Sequence, residues 1–118
     1  MTQQRGEQEI RAALTKVWLD SQARVRERLA TLEEISASLR AGVLNEECRE
    51  DAMEAAHRLS GALGMFGFHE ASTCAAEIES LLAQVPESVA FAQLVARLRG
   101  LLENTETPHT ADLENRSF

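Results

Sequence analysis

Large apolar residues recur along this chain at intervals of three and four, the period of a helix that buries one face. The first stretch carries Ile10, Leu14, Val17 and Trp18, and the second carries Val25, Leu29, Leu32, Ile35 and Leu39. The phase slips between them near Asp20 and Ser21, and either residue can cap a helix. The pattern therefore predicts a short N-terminal helix and then a longer one, with a kink as one way of joining them, the second ended by Gly42. Asn45 is placed to cap the next helix, whose seam is Ala52, Ala56, Leu59, Leu63 and Phe66. Gly67 ends it. A further helix carries Ala71, Cys74, Ala75, Ile78, Leu81, Leu82 and Val85 and is broken by Pro86. The last begins at Glu87 or Ser88 and carries Phe91, Leu94, Val95, Leu98, Leu101 and Leu102. Short connections at Gly42, Gly67 and Pro86 force neighbouring helices to run antiparallel. The expected fold is all-α: an antiparallel four-helix bundle with an additional short N-terminal helix.

Beyond Asn104 the periodicity stops. Residues 105–118 are polar, contain Pro108, and hold only Leu113 and Phe118 as large apolar side chains. The expected organisation is a bundle over residues 1–104 followed by a disordered tail or linker over 105–118. No internal repeat and no strand-like alternation interrupts this reading.

Composition narrows the function classes. The chain has 118 residues, enough for one domain, and 44% of them are hydrophobic, enough for one core. A formal charge of −7 repels phosphate backbones, so nucleic-acid binding is not expected. No apolar run reaches the roughly 18 residues a membrane-spanning helix needs. Met1 to Gly6 is polar and unlike a signal peptide, so the expected location is cytoplasmic. Cys48 and Cys74 lie far apart and read as free thiols. His57, His69 and Cys74 match no compact ligand spacing, so no metal site is expected. His69 falls at a helix start and His109 in the tail, and neither receives a role. Trp18 and Phe91 read as core or capping aromatics.

One segment departs from an ordinary bundle helix. It runs Ala56-His57-Arg58-Leu59-Ser60-Gly61-Ala62-Leu63-Gly64-Met65-Phe66-Gly67. An interior glycine costs a helix roughly 1 kcal/mol against alanine, and Gly61 and Gly64 together cost about 2 kcal/mol. That is a large share of a small domain's stability. At about 100° per residue, Gly61 lies about 40° to one side of His57 and Gly64 about 20° to the other. The three form a row beside the core seam, and the glycines leave the imidazole open to close approach. Phosphoryl transfer needs little more than an accessible imidazole nitrogen, positioning and charge neutralisation. An unperturbed imidazole titrates near about 6.5, which leaves much of it nucleophilic at neutral pH. The glycines are not a nucleotide-binding loop, because no Lys-Ser/Thr pair follows them and no strand precedes them. An autonomous kinase is not expected. A lone helical histidine is ordinarily a surface residue; the glycine row is what separates His57 from that reading.

These residues resemble the signature of the histidine phosphotransfer (HPt) family, in the variant A-H-R-L-x-G-x-L-G-x-F-G-F. The resemblance covers about residues 45 to 83, including Ile78-Glu79 and Leu81-Leu82, and is compatible with the chain up to Asn104. It implies a four-helix bundle with His57 as phosphoacceptor and Gly61 as the point of close approach. It implies a phosphorelay carrier that exchanges a phosphoryl group with an aspartate of a response-regulator receiver domain. A histidine kinase or hybrid kinase is the other expected partner, and the expected state of the chain is monomeric. The chain itself needs no cofactor in this reading; Mg2+ is expected on the receiver. Many members carry a lysine three residues after the histidine, whereas this chain has Ser60, which leaves Arg58 as the nearest cation. Glu50, Met53, Glu54, Arg58, Ser60 and Gly64 read as a solvated face or as a docking patch around His57. Glu54 or a water could orient the second imidazole nitrogen. A non-phosphorylatable bundle that docks on or sequesters a receiver domain is the alternative that Ser60 keeps open.

Overall fold

The computed structural model describes residues 2–84 and 87–103, with side chains from Gly6 onward. The expected break at Pro86, Val85 before it, and the tail over 105–118 lie outside the described residues. Four helices follow in order: α1 (Thr2–Ala41), α2 (Glu46–Met65), α3 (His69–Ala83) and α4 (Ser88–Glu103). Each packs on its neighbours in sequence, and α1 closes the ring against α4. The result is an all-α, up-down-up-down four-helix bundle. Among the described residues no helix is long and apolar enough to cross a membrane.

The short N-terminal helix expected ahead of the bundle is not a separate element. Asp20 and Ser21 lie inside α1, which runs unbroken for 40 residues. The apparent change of phase came from Ile10 and Val17, which are exposed. The buried stripe passes through Trp18, Val25 and Leu32 at steps of seven residues, so no cap is needed between them. A helix of this length spans about 60 Å, twice the length of α2. It sets the 59 Å long axis of the molecule.

The core lies where the periodicity places it. Ala52, Ala56, Leu59, Leu63 and Phe66 are all buried, as are Ala71, Cys74, Ala75, Ile78 and Leu82 of α3. Phe91, Val95 and Leu98 close it from α4. A fully buried leucine or phenylalanine contributes about 1.5–3 kcal/mol. Trp18 stacks edge-on against Phe66 at 5.2 Å and Phe68 at 4.8 Å, which pins α1 to the α2–α3 turn.

The helix ends follow local chemistry. The Asn45 side chain accepts the Cys48 N–H at 2.8 Å and caps α2. Gly42 and Gly67 adopt φ of 71° and 85°, a region that other residues enter only under strain. At Gly67 the chain makes the paired terminal bonds of a Schellman motif. Gly67 N–H donates to Gly64 O, and Phe68 N–H to Leu63 O. Gly42 and Val43 repeat the arrangement at the end of α1. The turn at Gly67 is so tight that α2 and α3 form a hairpin, and this hairpin carries the candidate site.

Candidate functional site

His57 projects from the middle of α2, one position past the buried Ala56. Its side chain is 74% exposed. The imidazole leans toward α3, where its Nδ1 stands 3.1 Å and 3.3 Å from the two carboxylate oxygens of Glu79. A carboxylate only accepts, so the nitrogen facing it carries the proton. That assignment leaves Nε2 as the free lone pair, pointing away from the α3 contact. His57 and Glu79 each lie eleven residues from Phe68, one before it and one after. An antiparallel hairpin folded at Gly67–Phe68 therefore sets them level.

The glycines of the row prove to have different surroundings. A Cβ added to Gly61 would meet nothing within 4 Å. Nothing inside the bundle requires a glycine there, and the bare surface faces outward beside His57. A Cβ at Gly64 would come 3.2 Å from Ser72 Oγ of α3, so that glycine also serves the α2–α3 packing. Met65, one turn beyond Gly61, is an exposed apolar side chain at the end of the same face.

Ser60 turns toward α3. Its hydroxyl donates to Ser72 O at 3.0 Å, and the Ser72 hydroxyl donates to Ser60 O at 2.8 Å. The pair bridges the two helices reciprocally. Met53 is half-buried, packs against the core and lies 3.8 Å from an Arg49 N–H through its sulfur. Arg49 also donates to Leu82 O at 2.5 Å, closing the end of α3.

Arg58 and Glu54 lie on the opposite shoulder of α2. Arg58 Nη2 donates to Glu54 Oε1 at 2.6 Å, and both line the groove between α1 and α2 with Arg28 and Asp51. Glu50 is exposed one turn before Glu54. Glu54 is thus engaged by Arg58, and the group at His57 Nδ1 is Glu79. Sequence reasoning quoted Glu79 only as part of a signature. Reflection of His57 through the Gly67–Phe68 turn would have found it. Ser72, as the partner of Ser60, was not foreseen.

The described residues contain no group of three or more His, Cys, Asp or Glu side chains able to hold a metal. Cys74 is buried inside the bundle while His57 stands on its surface.

The family comparison matches the Hpt domain over residues 16–107, most of the chain. The chain belongs to the Hpt domain family. No curated protein and no solved structure matches it. The match begins at Lys16, within α1, so the first turns of that helix lie ahead of the matched region. Hpt domains serve histidine phosphotransfer in two-component signalling, with receiver domains and kinases as their partners.

Proposed function

We propose that this Hpt domain carries a phosphoryl group on Nε2 of His57 and exchanges it with an aspartate of a response-regulator receiver domain. One observation carries the reading: an exposed imidazole whose Nδ1 is held by Glu79, beside a glycine with open space over it. In the forward step the Nε2 lone pair attacks the phosphorus of the receiver's aspartyl phosphate. The P–N bond forms, the acyl P–O bond breaks, and the aspartate leaves as a carboxylate. The ring becomes cationic with its proton on Nδ1, opposite the Glu79 carboxylate, which stabilises that charge. The reverse step runs through the same geometry. Magnesium comes with the receiver's carboxylates, and this chain contributes the nucleophile, its orientation and the surface for approach.

The test is transfer from a labelled receiver domain in the presence of magnesium. An acid-labile, base-stable label should appear on the chain and vanish in His57→Gln. Label that persists in that variant refutes His57 as acceptor. A second reading, a binding-only module that docks on or sequesters a receiver, draws on Ser60 and Arg58 both being tied to neighbours. It predicts that His57→Gln leaves receiver binding and cellular function intact.

A further inference from the structure

The outer face of α2 divides into two shoulders around His57. On the α3 side stand Glu79 and the Ser60–Ser72 bridge. On the α1 side stands the Glu54–Arg58 pair. Arg58 directly follows His57 in sequence, and its guanidinium is clasped by a carboxylate in the α1–α2 groove. Both members of the pair are more than half exposed, so the attraction between them is that of a surface ion pair and is open to competition from a new charge.

A phosphoryl group on His57 adds between one and two negative charges near neutral pH. Bonded to Nε2, it would face away from Glu79, one helix turn on from Glu54 and one residue before Arg58 in sequence. Arg58 spends an Nη2 donor and part of its charge on Glu54, so it neutralises the phosphoryl group less than a free guanidinium would. We infer that Glu54 is a positioning residue that sets the phosphotransfer equilibrium by holding Arg58 away from His57. The inference rests on the proposed role of His57. The clasp weakens retention of the phosphoryl group on the histidine and biases the exchange toward the receiver's aspartate. With Glu54 neutralised, Arg58 swings about 100° round the helix surface toward the phosphoryl oxygens, a reach its long side chain allows.

The experiment uses the full chain, labelled first with phosphoramidate and then equilibrated with a receiver domain and magnesium. The readout is the equilibrium ratio of label on the two proteins, for wild type, Glu54→Gln, Arg58→Ala and the double variant. Glu54→Gln should raise the ratio of label on His57 to label on the receiver about threefold, the scale of one exposed charge pair. Arg58→Ala alone leaves the Glu54 carboxylate uncompensated near the phosphoryl group and should lower the ratio by less than about threefold. The double variant should return to the wild-type ratio, which isolates the coupling between the two side chains. A gain that persists in the double variant shows that the bare charge of Glu54 acts without Arg58, and overturns the inference. A double variant that falls well below the wild-type ratio overturns it too, because Arg58 would then already serve the phosphoryl group in the wild-type chain. Wild-type chain that takes label while Glu54→Gln leaves the ratio unmoved refutes this inference only. Wild-type chain that takes no label on His57 refutes the proposed function and this inference with it.

Discussion

Substituting alanine at the two interior glycines of α2 separates a functional glycine from a packing one. Alanine gains about 1 kcal/mol over glycine inside a helix. At Gly61 the new methyl group enters open space, so the whole gain should appear as stability. For a domain of about 100 residues that raises Tm by about 4 °C or more. At Gly64 the methyl group meets Ser72 Oγ at 3.2 Å. That hydroxyl is committed to Ser60 O at 2.8 Å and must turn or retreat. The lost hydrogen bond is worth about 1 kcal/mol, which offsets the gain. Gly64→Ala should therefore be neutral or destabilising. In a Ser72→Ala background the nearest remaining contact is the Cβ at 3.9 Å, an ordinary approach, and Gly64→Ala should recover its full gain. Urea and thermal unfolding followed by circular dichroism measure all of these. Equal stabilisation at both glycines in the wild-type background would refute the packing role of Gly64. The same Gly61→Ala protein should transfer more slowly with a receiver despite its greater stability, and Gly61→Arg more slowly still. Transfer rates within about twofold of wild type for both variants would show that no partner presses on this surface.

Glu79→Ala should slow phosphoryl transfer about fivefold, the loss expected from one partly exposed charge contact, while Glu79→Gln retains more activity because its amide oxygen still accepts from Nδ1; equal rates for wild type and alanine would refute the orienting role. Gly67→Ala should destabilise the fold by about 1 kcal/mol in urea unfolding, since φ of 85° strains any residue with a Cβ. Burial pushes the Cys74 thiol above its ordinary range, with a smaller lowering from Arg97 and a raising by Glu77. A thiol raised in the folded state adds stability that is present below its unfolded pKa and is lost as pH rises through the folded one. Stability should thus decline on the alkaline side, and Cys74→Ala should flatten that decline after its own loss of packing is subtracted. In the folded protein iodoacetamide should modify the exposed Cys48 well before Cys74; equal rates would contradict the burial.

The helical periodicity was legible because it is local. Ala52, Ala56, Leu59, Leu63 and Phe66 lie on one strip of one helix, and their spacing alone marks that strip as buried. The stops at Gly42 and Gly67 were legible for the same reason, since a helix end depends on a few residues' backbone geometry. The division expected near Asp20 is absent because Ile10 and Val17, which look like core residues in sequence, are exposed on one continuous helix. Which apolar residues a long helix buries depends on where its neighbours end, and the α2–α3 turn meets α1 at Trp18.

His57 and its glycine neighbours were also local, being three positions on one helix face. By itself the sequence determined an all-α bundle, its core seams, and one histidine set beside the core with bare backbone next to it. Tertiary structure alone decided what surrounds that histidine. Glu79 on Nδ1 and Ser72 against Ser60 and Gly64 come from α3, and the groove that receives Arg58 and Glu54 is completed by α1. Periodicity within a helix states which side faces inward, because the turn angle is a constant of the backbone. It does not state which polar side chains of another helix arrive at the same level, because that follows from the register in which the helices pack.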